Sequence, residues 1–240
     1  MKNIIILIIF CVVTLLSYMP LSTAQEVKVY TEIFPPFQHL EQNEIAGSAT
    51  EKVKDILNST NLTSQFHIVP WVRAFQTVKQ QKNTLIYSMY RSPEREPFFH
   101  WLSIVGQIKN GFVALKSKNI QLASFEDSKT YITAVVKESY PYQYLKSEGF
   151  SEDENLVIIN SRETQLSLLL NNKVDFLFGD LNFMRQRLKN RGLSPLLIEN
   201  AYTEPGWEID LYLAINKNSD EQIVKQLKNA ISTGDKITAL

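Results

Sequence analysis

Short apolar strands alternate with amphipathic helices in two series along the chain, and this alternation constrains the fold more than any other feature of the sequence. The first series predicts strands over residues 27–30, 66–69 and 84–89, and helices over 49–57 and 72–81. The second predicts strands over 133–136, 157–159 and 175–178, and helices over 142–148, 162–171 and 184–189. A helix that connects two strands in this way covers one face of a sheet, so the order predicts parallel pairing.

Two further strands are predicted, one between the series over residues 111–116 and one after them over 209–215, followed by a helix over 220–231. This order fits a chain that begins one lobe, forms a second lobe and then returns to complete the first. Such a chain crosses between the lobes twice. The sequence therefore predicts an α/β fold of two lobes, each a mostly parallel sheet flanked by helices, with hinge crossings near Gly111 and residues 202–206. We expect the first lobe at residues 25–108, the second lobe with its hinge segments at 109–205, and the return at 206–240.

The first 24 residues have the features of a secretory signal peptide. Lys2 precedes an apolar run over residues 4–16, and small residues follow at 22–24. As a helix this run rises about 20 Å, less than the roughly 30 Å of a bilayer core. We expect cleavage after Ala24 and a periplasmic mature protein, with an uncleaved anchor as the alternative. The only cysteine, Cys11, lies in this segment, so the mature chain must fold without disulfides.

The charge balance excludes some classes of partner. The chain carries 25 basic and 25 acidic side chains, so no excess of positive charge favours nucleic acid. No Cys/His spacing suggests zinc and no glycine-rich loop suggests a phosphate site, so we expect no cofactor. We also expect a monomer.

Four segments, taken in order, resemble the family 3 extracellular solute-binding proteins, periplasmic receptors that deliver polar amino acids to ABC importers. These are FPPF at 34–37, PWVRA at 70–74, SMYRSPERE at 88–96 and VDFLFGD at 174–180. The resemblance implies a type II periplasmic-binding-protein-like fold that binds a small polar, amino-acid-like ligand between its lobes. It also implies an inner-membrane ABC permease as the partner.

By position in these motifs, the resemblance implies that Arg95 binds the ligand's carboxylate and that Asp180 binds its ammonium group. A guanidinium can bind a carboxylate through two parallel hydrogen bonds, which a lysine cannot do. The alternatives are an exposed ion pair of Arg95 with Glu94 or Glu96, and a helix N-cap role for Asp180. Asp175 is a nearby alternative to Asp180, although it precedes the apolar residues of the strand and so lies at its other end.

Phe34 and Trp71 occupy positions where the family's aromatic side chains flank the ligand, with a core role as the alternative for each. Tyr90 stands where the family has threonine or serine. Arg91 and Arg73 are further cations in the same motifs, Arg91 in the segment 88–96 that contains Arg95 and Arg73 in the segment 70–74.

In the second lobe, Ser139 lies in the loop where the family often has Ser/Thr and Gly. We include Ser139, with Tyr90, Arg91 and Arg73, among the expected ligand-binding residues.

We predict that the chain is not an enzyme, because His39, His67 and His100 are scattered and the sequence has no nucleophile elbow or paired-carboxylate motif. Two alternatives stay open. One is a dehydratase-type enzyme on the same fold, and the other is a ligand sensor that acts through a separate signalling protein.

Overall fold

The structure is a computed structural model that describes residues 25–238, so the predicted signal peptide and its cleavage site lie outside the described residues. The strands are β1 (Glu26–Thr31), β2 (His39–Glu41), β3 (Glu44–Ala46), β4 (Thr63–Ile68), β5 (Thr84–Tyr90), β6 (Phe99–Leu115), β7 (Thr133–Val136), β8 (Leu156–Ile159), β9 (Phe176–Asp180), β10 (Ile198–Tyr202) and β11 (Glu208–Asn216). The α-helices are α1 (Ser48–Asn58), α2 (Trp71–Gln80), α3 (Tyr140–Ser147), α4 (Arg162–Leu170), α5 (Leu181–Asn190) and α6 (Glu221–Thr238).

The main sheet has the strand order β4-β1-β5-β11-β6-β9-β7-β8, and β10 also pairs with β6. In the first lobe β1 pairs in parallel with β4 and β5, and β11 lies antiparallel between β5 and β6. In the second lobe β7 pairs in parallel with β8 and β9. The predicted α/β class and the parallel strand–helix series are therefore confirmed.

Strand β6 is longer than the predicted strand over 111–116. It begins at Phe99, pairs with β11 as far as Lys109 and with β9 from Asn110 onward, and so runs from one lobe into the other. Its first half was missed because polar side chains interrupt the apolar pattern where that half is only partly buried. The return crossing lies between β10 and β11. The lobe boundaries stay a prediction.

Aromatic packing holds the second lobe together without disulfides. Phe112 lies against Phe176, Phe178 and Phe150, with ring centroids 4.9 to 6.0 Å apart. Trp207, from the return crossing, packs 5.2 Å from the Phe178 ring. Rings of this size bury large apolar areas and stabilise a core strongly. Between residues 25 and 238, no helix is both long enough and apolar enough to cross a bilayer.

We expect Gly47→Ala to destabilise the fold. Gly47 has φ of +118°, and a Cβ there would lie 2.5 Å from the Phe37 carbonyl oxygen. Both the backbone strain and the contact oppose a side chain, at a cost of about 1 to 3 kcal/mol for the strain alone. Gly192→Ala is the matched control, since its φ of +70° is also positive but a Cβ there meets nothing within 4 Å. Equal losses in urea denaturation of the two variants would contradict the steric explanation.

Candidate ligand-binding site

The carboxyl ends of strands from both lobes meet at one cleft. Glu32 and Tyr90 lie at or just beyond the ends of β1 and β5, while Glu138, Arg162 and Asp180 occupy the corresponding positions of β7, β8 and β9. Open α/β sheets bind ligands at this end of their parallel strands.

Arg95 is a buried cation at this junction. Its side chain is 0% exposed, its Nη1 donates to the Tyr90 carbonyl (2.9 Å) and its Nη2 donates to the Glu138 carbonyl (2.8 Å). The guanidinium carbon lies 5.3 Å from the Trp71 ring and 5.0 Å from the Phe75 ring. Burial lowers the Arg95 pKa to about 10. The group therefore stays charged at neutral pH.

Arg95 has no carboxylate partner within the described part of the chain. Its Nε is buried and makes no hydrogen bond there. The alternative of an exposed ion pair is wrong, because the side chain is buried and Glu96 pairs with Arg91 instead. Partial charges on two carbonyl groups compensate a buried guanidinium less well than an anion does.

The Glu138 carbonyl joins the two lobes. Besides Arg95, it accepts a hydrogen bond from Trp71 Nε1 (3.0 Å). Glu138 has φ of +60°, a left-handed conformation that costs a residue with a side chain about 1 kcal/mol. The loop after β7 is therefore held in a conformation that directs this carbonyl toward two first-lobe donors.

A buried ion pair also crosses the cleft. Arg162 donates from Nε to Glu32 Oε2 (2.7 Å) and from Nη2 to Oε1 (2.6 Å), a bidentate contact. The two side chains are only 17% and 9% exposed, and the Arg162 guanidinium lies over the rings of Phe34 and Phe183. Burial lowers the Arg162 pKa, but the contact with Glu32 outweighs it, so the pKa lies above its ordinary value. Sequence reasoning missed this pair.

Aromatic side chains from opposite lobes pack across the cleft. The Tyr90 and Tyr140 rings stack with centroids 4.6 Å apart, and the Phe34 ring meets the Phe183 ring edge-on at 4.4 Å. Burial raises the Tyr90 pKa well above its ordinary value, so its hydroxyl, 3.4 Å from Asn110 Oδ1, stays protonated. Phe34 and Trp71 thus belong both to the buried core and to the cleft wall.

Asp180 and Ser139 both act as helix N-caps at the cleft. Asp180 accepts hydrogen bonds from the backbone N–H groups of Phe183 (2.7 Å) and Lys109 (3.1 Å). Ser139, 2% exposed, accepts one from Tyr142 N–H (3.3 Å). The N-cap alternative for Asp180 therefore holds, but each carboxylate oxygen keeps a lone pair that could accept from a ligand.

The structure does not bring Arg73 and Arg91 into the cleft. Arg73 is exposed on α2, and Arg91 is exposed and makes a bidentate ion pair with Glu96.

A cavity of about 220 Å³ lies between the lobes beside Trp71. Its walls come from residues 32–33, 68–71, 136 and 160–163, so both lobes contribute. A larger groove of about 800 Å³ lies at the opposite end of the first-lobe sheet, where Lys82 and Lys217 flank β5 and β11. We take the smaller cavity as one part of the site, because it lies at the carboxyl ends of the parallel strands. Arg95 and Asp180 do not line this cavity, and Trp71 lies between it and Arg95.

The comparison with known families decides the family of the chain. The family described as bacterial extracellular solute-binding proteins, family 3, matches residues 27–234. The chain belongs to this family. The resemblance inferred from the four motifs is thereby confirmed. An extracellular family also implies a location outside the cytoplasm.

Solved structures of low sequence identity share the fold. A histidine kinase sensor domain with similarity to periplasmic binding proteins superposes with a TM-score of 0.77 at 17% identity, covering 90% of this chain and 92% of that one. Holo ArgBP from T. maritima superposes with a TM-score of 0.72 at 14% identity, covering 88% of this chain and 90% of that one. AbpA from Streptococcus pneumoniae, bound to L-arginine, superposes with a TM-score of 0.72 at 16% identity, covering 89% of this chain and 90% of that one. These neighbours confirm the predicted two-lobed fold.

A search of curated protein sequences found no match. The family is one of solute-binding proteins, which points to a binding role for this chain.

Proposed function

We propose that this chain is a periplasmic solute-binding protein that captures a small amino-acid-like ligand between its lobes and delivers it to an ABC permease. The observation that carries this proposal is the buried guanidinium of Arg95, which lies between the lobes and pairs with carbonyl groups in place of a carboxylate. A solved neighbour that is bound to L-arginine supports an amino-acid-like ligand.

Ligand entry requires the lobes to separate, with bending at the middle of β6 and at the return crossing. Separation moves the Glu138 carbonyl, which belongs to the second lobe, away from Arg95 in the first. A ligand carboxylate then binds Arg95 as a stronger acceptor than that carbonyl. Closure brings Asp180 toward the ligand's ammonium group, so that each buried charge gains an opposite partner.

A thermal-shift screen of the mature protein tests the need for a carboxylate. We expect at least one amino acid or dicarboxylate to raise the melting temperature, and polyamines to leave it unchanged. A ligand that binds only the folded state stabilises it by about 2.7 kcal/mol at 100 times its Kd. Stabilisation by polyamines without any effect of carboxylate ligands would contradict the role of Arg95.

We propose export to the periplasm with cleavage after Ala24, which leaves Gln25 as the N-terminus. Mass spectrometry of the protein in a periplasmic fraction measures this terminus. A membrane-bound form that keeps residues 1–24 would support the anchor alternative.

Ligand sensing through a separate signalling protein is the second candidate, favoured by the TM-score of 0.77 with a histidine kinase sensor domain. Uptake of labelled ligand by cells with and without the gene separates the two functions. Import predicts that uptake falls without the gene, while sensing predicts unchanged uptake and a lost transcriptional response.

A further inference from the structure

The cavity between the lobes has an apolar wall and no free charge among the residues that line it. The wall is formed by Ile68, Val69, Pro70, Trp71 and Val136, with the partly exposed Ile33 at its edge. Apolar walls of this kind bind apolar groups and disfavour unpaired charges.

Three ionised side chains line the cavity, and each is already paired within the protein. Glu32 and Arg162 bind each other through two hydrogen bonds. Glu163 accepts from Arg187 Nη2 (3.1 Å) and also from Arg191. Each of these three charges therefore has an opposite partner before a ligand binds.

A charged ligand group in this cavity would compete with the Glu32–Arg162 pair. A cationic group would share Glu32 with Arg162, whose guanidinium lies over the Phe34 and Phe183 rings, so two like charges would lie close together. An anionic group would share Arg162 with Glu32 in the same way. In either case, repulsion between like charges in a partly buried site opposes the binding of a charged side group.

We propose that the cleft selects an amino-acid-like ligand with an uncharged, largely apolar side group, and that Glu32 and Arg162 determine this specificity by neutralising each other. The inference rests on the proposed function, since Arg95 and Asp180 would hold the charged head group. Trp71 forms the wall that the two parts of the site share, because it contacts Arg95 and also lines the cavity.

Calorimetry with three probes tests the proposal on the mature protein: methionine, arginine and glutamate. The wild type is expected to bind methionine most tightly. Arg162→Gln frees Glu32 and is expected to gain affinity for arginine on the order of tenfold, the effect of a new hydrogen bond to a charged group. Glu32→Gln leaves Arg162 without its carboxylate partner, so this variant is expected to bind glutamate on the order of tenfold more tightly than the wild type does. Arg162→Lys is the matched control, because it keeps the charge beside Glu32 and should gain little for arginine.

Circular dichroism melting establishes that each variant is folded. A wild type that binds arginine or glutamate more tightly than methionine, or all three equally, overturns the specificity inference and leaves the proposed function standing. Folded variants that show neither gain also overturn it. If a variant does not fold, the ranking of the three probes by the wild type decides alone. Binding of none of the three by the wild type overturns the proposed amino-acid-like ligand, and the inference with it.

Discussion

Replacing Arg95 with Ala is expected to weaken ligand binding by about 2 to 5 kcal/mol, the range for removing one partner of a buried, hydrogen-bonded charge pair. Arg95→Lys is expected to lose much of the affinity as well. The charge stays, but a single ammonium group cannot make the two parallel hydrogen bonds of a guanidinium. Calorimetry with the ligand found by the thermal-shift screen measures both effects.

Arg91→Ala is the matched control for the Arg95 variants. Arg91 is in the same segment, but its ion pair with Glu96 is exposed, with side chains 48% and 44% accessible. An exposed pair contributes at most about 1 kcal/mol, so ligand affinity and stability should both change little. Arg95→Ala protein that is folded and binds with wild-type affinity would remove Arg95 from the site.

Breaking the Glu32–Arg162 pair from one side is expected to lower the free energy of unfolding by about 3 kcal/mol, because it leaves one uncompensated charge buried. The Glu32→Gln/Arg162→Gln double variant is expected to lose clearly less than the sum of the two single variants. Urea denaturation of the four proteins gives the coupling energy between the two side chains.

The exposed pair of Lys109 and Glu208 provides a control cycle, since these side chains are 49% and 44% accessible. Its coupling energy should lie between about 0 and 1 kcal/mol. A Glu32–Arg162 coupling no larger than this would show that the cleft pair is hydrated in solution and does not hold the lobes together.

The strands and helices of the two series could be predicted because their periodicity is local. β5, with all seven residues buried, is continuously apolar apart from Thr84 and Ser88. The β2–β3 hairpin and β10 were missed, since short, partly exposed strands carry little apolar signal. The first half of β6 was missed for the same reason.

The candidate site could be predicted only in part. The motif indicated Arg95, which the structure buries between the lobes, but closeness in sequence also led us to include Arg91 and Arg73, which are exposed. Tyr90 is buried, Arg91 is exposed and Ser92 is buried, as alternation along an extended segment requires. Arg73 lies off the face of α2 that buries Ala74, Phe75 and Val78.

Glu32 and Arg162 lie 130 positions apart in sequence, so nothing local links them. Their common feature, a charged residue shortly after a buried strand of an α/β sheet, is a signal that could have identified them as cleft residues. The role of the Glu138 carbonyl depends on backbone conformation, which residue type does not reveal.

A crystal structure of the mature protein with its ligand tests most directly whether the cleft between the lobes is the binding site. We predict that the ligand's carboxylate is bonded to Arg95 in place of the Glu138 carbonyl, with its side group in the cavity beside Trp71. A ligand bound outside the cleft, or one bound between the lobes while Arg95 keeps its hydrogen bond to the Glu138 carbonyl, would contradict it.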